Sequence, residues 1–153
     1  MAATGLVIAT EVGSSIQYSL NRDHLAAGAV IELTDLRQAL VRRLQDVIET
    51  GWSVRAVHAS LFGAAARGDG DLESVVDLLL IHEESSPEWS QQVASLTAQV
   101  FRWTGNTLRT HDLSVGELHE HLAIGDPVMS TWLREGVLVS GSDLRSLLKT
   151  IAS

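Results

Sequence analysis

Two adjoining runs, Leu61-Phe62-Gly63-Ala64-Ala65-Ala66-Arg67-Gly68-Asp69 and Asp71-Leu72-Glu73-Ser74-Val75-Val76-Asp77-Leu78-Leu79-Leu80-Ile81, decide how this chain folds. From Val75 to His82 the second run is nearly unbroken Val, Leu and Ile. That is the composition of a strand covered on both faces, so this segment is expected at the centre of a sheet. The first run follows Val54 to Phe62, which reads as a strand, and its glycines and alanines read as a loop leaving that strand.

Working outward, the segments on either side alternate between helical and extended patterns. Leu36, Leu40, Leu44, Val47 and Ile48 recur at spacings of three and four, which predicts a helix from Thr34, as N-cap, to about Thr50, ended by Gly51. Ser86-Pro87 opens a second helix whose Trp89, Val93, Leu96, Val100 and Trp103 form a stripe closed by Gly105-Asn106. A short strand is expected over Thr107 to Leu113. Ser114 and Glu117 have the capping-box spacing, so a helix should run from there towards Gly125. Asp126-Pro127 starts another, stopped by Gly136. Val137 to Val139 reads as a strand, and Ser142-Asp143 caps a last helix carrying Leu144, Leu147, Leu148 and Ile151.

At the front, Leu6 to Thr10 and Ile16 to Leu20 flank Gly13 and read as a β-hairpin. In its second arm Ile16, Tyr18 and Leu20 alternate with Gln17, Ser19 and Asn21, which predicts one buried and one wet face. The expected fold is α/β (α+β), a small mixed sheet flanked by helices behind an N-terminal hairpin, divided into an extension over 1–33 and a main domain over 34–153.

The two runs quoted first, with Trp103-Thr104-Gly105-Asn106, Leu118, Asp126-Pro127 and Leu133-Arg134-Glu135-Gly136-Val137-Leu138-Val139-Ser140-Gly141, resemble the minimal nucleotidyltransferases of the DNA polymerase β superfamily over residues 50 to 145. Their pattern is a Gly-Ser loop with Ala-Arg-Gly, followed by Asp-x-Asp on the next strand. The resemblance implies Gly63, Ala64, Arg67 and Gly68 as the nucleotide-binding loop, and Asp77 as one of the metal-holding catalytic carboxylates. Asp112 is the best-placed candidate for the third, which this family takes from a later strand. Two carboxylates on one strand face can hold Mg²⁺ between protein and triphosphate, and a two-metal clamp stabilises an in-line transfer.

The sequence departs from that pattern twice. Ala64 stands where the family has serine, and Val75 stands where the first aspartate belongs. Glu73 shares the strand parity of Val75 but lies one strand repeat away. The reading is therefore a nucleotidyltransferase fold with a degenerate site, acting as a binding, regulatory or assembly module. The alternative is an active enzyme moving a nucleoside monophosphate from an NTP to a hydroxyl with Mg²⁺, of the small-molecule-modifying or toxin–antitoxin type. Gly63 and Gly68 can equally serve turn geometry, Arg67 a salt bridge, and Asp112 the approach to the Ser114 cap. His58 and His111 are candidate general bases on strands near the site. His119-Glu120-His121 reads as a solvated helix face, because residues two apart on a helix project to different sides.

The hairpin with Asn21-Arg22-Asp23-His24 also looks like the wing of a winged helix-turn-helix, of the kind found ahead of nucleotidyltransferase domains in some bacterial proteins. A recognition helix would precede the wing, so either the chain keeps the wing without its reading head or the start lies further upstream. A third alternative is accordingly a transcriptional regulator using the wing. Composition argues against it. Eleven Lys and Arg against 19 Asp and Glu leave a formal charge of −8, which repels phosphate backbones and anionic lipid. Sequence-specific DNA binding is not expected, nor is a membrane. The 153 residues contain no cysteine, which removes disulfides and thiolate chemistry. A cytoplasmic protein is expected, with an NTP as the implied ligand and a second copy or another protein as the partner that covers the hairpin.

Overall fold

The computed structural model describes residues 5–67 and 75–152, with Leu33 and Thr34 described in their backbone alone. The element order is β1 (Val7–Val12), β2 (Ser15–Leu20), α1 (Ala27–Asp46), β3 (His58–Phe62), α2 (Gly63–Arg67), β4 (Val76–His82) and α3 (Pro87–Thr104). It continues through β5 (Leu108–Ser114), α4 (Val115–Ala123), α5 (Val128–Glu135), β6 (Val137–Gly141) and α6 (Leu144–Ile151). The chain forms two compact units, Met1–Gln38 and Ala39–Ser153. The fold class is the mixed α/β one that the sequence predicts.

In the first unit β1 and β2 pair antiparallel as a two-stranded ribbon, with Ala9 opposite Tyr18 and Glu11 opposite Ile16. The expected burial of one face does not occur: Ile16 is 57% and Tyr18 64% exposed. Alternation gives the ribbon an apolar face, but alternation alone does not supply a covering for it. The helix that follows begins at Ala27, seven residues before the predicted start. Its entry is organised by His24, whose Nδ1 accepts from the Ala26 amide and whose carbonyl accepts from Ala27. This side-chain acceptor leaves no apolar periodicity to read. The predicted cap at Thr34 falls inside the helix, and its side chain lies outside the described residues.

The second unit is a four-stranded sheet in the order β5-β4-β3-β6, with β4 parallel to β5 and both other pairings antiparallel. Every residue of β3 and β4 is buried, which matches the two central positions and the apolar run of β4. One sheet face, with Ala59, Leu61, Leu78 and Leu80, packs on Leu44 and Ile48 and on Trp89, Leu96 and Val100 of α3. The other, with Phe62, Leu79 and Ile81, packs on Leu118 of α4, Met129 and Trp132 of α5, and Leu144 and Leu148 of α6. Each fully buried aliphatic side chain contributes about 1.5–3 kcal/mol to holding these layers together.

Helix boundaries follow their caps. Ser86 accepts from the Trp89 amide at 3.1 Å, the Ser114–Glu117 capping box forms in both directions, and Asp143 accepts from Ser146. The predicted loop after β3 is instead the short helix α2, since Ala64, Ala65 and Ala66 have the strongest helix preference of any residue.

Candidate functional site

Asp77 is the second residue of β4, and the ladder sets Phe62 beside it on β3 and Arg109 beside it on β5. β3 ends at Phe62, and Gly63, with a φ of +68°, turns the chain into α2. A Cβ at this position would meet Asp77 Oδ2 at 2.8 Å, so the close approach of loop and carboxylate needs glycine. Arg109 donates from Nε to Asp77 Oδ1 at 2.6 Å. The bond and the charge of Asp77 raise the Arg109 guanidinium above its ordinary value.

His111 follows on the same face of β5. Its Nε2 lies 3.9 Å from Asp77 Oδ1, too far for a hydrogen bond, and has no hydrogen-bond partner among the described residues. Its ring meets Phe62 edge-on with centroids 5.0 Å apart, and Trp132 at 6.1 Å. Burial pushes the imidazole below its ordinary value, opposed by Asp77 and reinforced by Arg109. His111 is thus a neutral ring packed beside an ion pair.

The structure does not bring Asp112 to Asp77. Asp77 is paired with Arg109 and Leu80 with Asp112, an odd separation along both strands, so the two carboxylates lie on opposite faces of the sheet. Asp112 accepts at both oxygens from the indole N–H of Trp89, each at 3.0 Å, and lies 3.5 Å from Nε2 of His82. Its surroundings are those of a structural carboxylate clamping α3 to the sheet.

Arg67, the last residue of α2, donates to Glu135 of α5 at 2.8 Å, and Glu135 also accepts from Arg134. The bond from Arg134, with the charge of Arg67, holds the Glu135 carboxyl below its usual range. Ala64 is half-buried at the start of α2. Gly68 and Glu73 lie outside the described residues, and Val75 immediately precedes β4.

These side chains do not fit a divalent cation. Mg²⁺ takes several oxygens, and here one carboxylate has an oxygen occupied by a guanidinium while the second candidate lies across the sheet. Among the described residues no group of three His, Asp or Glu is arranged to hold a metal ion. The residues that sequence reasoning missed are Arg109, Ser60 and Ser142. His58 donates to the carbonyl of Ser142 and contacts Ser60 on its own strand. The signal for the last pair was the i, i+2 spacing of His58 and Ser60, which sets both on one face of a strand. No protein family matches the sequence, and no curated protein is similar enough to count as a relative.

Proposed function

We propose that this chain is a nucleotidyltransferase-like domain without metal-dependent catalysis, acting as a binding, regulatory or assembly module. The observation that carries the reading is the ion pair of Arg109 with Asp77, 2.6 Å long, at the position where the sequence resemblance expects a metal-holding carboxylate. A guanidinium there already neutralises the charge that a metal ion would need. Val75 in place of the first aspartate and Ala64 in place of the loop serine support the same conclusion. The order β3, α2, β4, α3, β5, with the short helix α2 between the two central strands, is compatible with the resemblance. The assembly role is supported by the exposed apolar side chains of the hairpin, Ile8, Val12, Ile16 and Tyr18, on a ribbon whose outer edges are unpaired within its two-stranded sheet.

Calorimetric titration with ATP, GTP, CTP and UTP, with and without Mg²⁺, tests this reading. The native chain is expected to give no metal-dependent heat, while Val75→Asp combined with Arg109→Ala gains it. Metal-dependent binding by the native chain that Asp77→Ala abolishes would overturn the disarmed-site reading. Failure of the double variant to gain binding while remaining folded would count against the nucleotidyltransferase resemblance. Sedimentation analysis addresses assembly: Tyr18→Lys is expected to shift the protein towards a smaller species without changing its thermal midpoint.

A further inference from the structure

A small cavity open to solvent, about 40 Å³ in volume, lies where β3 and β6 meet α5 and α6, on the sheet face that also carries Asp77. Ser60 and His58 form its floor, Trp132, Leu133 and Leu138 supply apolar walls, and Arg145 stands beside it. Both floor residues are only 2% exposed.

The hydrogen bonds fix where the protons are. Nδ1 of His58 lies 2.7 Å from the Ser142 carbonyl oxygen, which can only accept, so Nδ1 carries the hydrogen. In the neutral ring Nε2 is then a lone pair, and the Ser60 hydroxyl, 2.8 Å away, donates to it. Burial favours that neutral ring, pushing the imidazole below its ordinary value against the raising effects of the Ser142 bond and of Asp143. The chain holds this arrangement through Gly141. Its φ is +80°, and an added Cβ would collide with the Val57 carbonyl. Only glycine lets β6 pass this close and bring the next carbonyl, that of Ser142, onto His58. A register shift in the β3–β6 ladder falls between Ala59 and Ser60, so the sheet is irregular at the serine itself.

We infer that Ser60 is a nucleophile activated by His58 and oriented through the Ser142 carbonyl, and that it accepts a short acyl group from an ester. The roles are those of a nucleophile, a base and an orienting acceptor, arranged within hydrogen-bonding distance. Ser60 Oγ forms a bond to the acyl carbon while its proton passes to His58 Nε2. The ester C–O bond breaks, and the same proton goes to the departing alkoxide. A water molecule, deprotonated by His58, then attacks the acyl carbon and releases the carboxylic acid and the Ser60 hydroxyl. The cavity has room for about three waters, which limits the acyl group to two or three carbons. Arg145, one of whose N–H groups donates to the Leu133 carbonyl, supplies positive charge for the developing oxyanion. Asp143 accepts from Ser146 at the cap of α6 and is the other charged group lining the cavity.

The assignment is independent of the nucleotidyltransferase reading, since it uses neither Asp77 nor α2. Its test is acetylation by p-nitrophenyl acetate, followed by intact mass and peptide mapping, with Lys149, the single lysine, as the internal control nucleophile. A single acetyl group is expected on Ser60, forming at a rate that rises with pH through a midpoint below the ordinary histidine value of 6.5. His58→Gln is expected to slow labelling by about 10²-fold or more. Because that buried variant can lose its fold, the exposed Arg145→Met provides a second one, expected to slow labelling by about 10²-fold with an unchanged thermal midpoint. Acetyl groups on amines alone, or Ser60 labelling that neither folded variant slows, would overturn the inference and leave the pair a structural hydrogen bond.

Discussion

Arg109 and Asp77 face each other across the parallel ladder of β5 and β4, joined Nε to Oδ1 at 2.6 Å, with the arginine side chain 60% exposed and the aspartate buried. The pair solves a local problem. A carboxylate flanked by Phe62 and the loop at Gly63 needs a counter-charge, and β5 supplies it directly across the ladder rather than from a bound ion.

Arg109→Ala leaves that carboxylate without its partner. Because solvent reaches the guanidinium, the loss is far smaller than for a fully buried pair, about 1 kcal/mol. A double-mutant cycle with Asp77→Asn in urea unfolding checks this: the second substitution is expected to remove most of the cost of the first.

Gly63→Ala carries two penalties, a left-handed backbone and a Cβ 2.8 Å from Asp77 Oδ2. Together they are expected to cost about 2 kcal/mol or more, of which 1–2 is backbone strain. In an Asp77→Ala background the steric part vanishes, so the same substitution should cost only the backbone strain of about 1–2 kcal/mol. Chemical denaturation of the four chains measures both numbers.

Much of this fold was legible because its helices carry local stop and start chemistry. Ser86, the Ser114–Glu117 box, Asp143 and Gly105 mark ends that the structure reproduces, and the apolar run of β4 announced a central strand. The start of α1 was not legible, because it depends on a histidine acceptor outside any periodic stripe. The site was less legible than the fold for a similar reason. Whether Asp112 could join Asp77 depends on strand register, which neither segment encodes alone: one residue of offset sends a side chain to the opposite face. Arg109 stood in plain view beside Asp112 in the sequence, but only the ladder makes it the neighbour of Asp77.

Asp112 separates a structural role from a catalytic one. Asp112→Ala strands the indole N–H of the fully buried Trp89 and is expected to destabilise the chain by about 1–3 kcal/mol. Asp112→Asn keeps an accepting oxygen and should cost less than half as much. Thermal unfolding followed by tryptophan fluorescence reports both, and equal losses for the two variants would show that charge, rather than acceptance from Trp89, is what α3 requires.

Two imidazoles, the buried His58 and the half-buried His111, set the acid side of the stability profile. Burial depresses both His58 and His111 below 6.5, so between their folded midpoints and 6.5 the unfolded chain binds more protons than the folded one. Stability should therefore be complete above about pH 6.5 and fall as the pH drops through the folded midpoints of the two imidazoles. Urea midpoints at pH 7 and pH 5 measure the loss, and NMR titration of the imidazole protons assigns it. Asp143 is the charge that raises His58, so Asp143→Asn, which keeps an acceptor for the α6 cap, is expected to move the His58 midpoint further down and leave that of His111 where it was. An unchanged His58 midpoint would mean that solvent entering the cavity screens Asp143 from the ring.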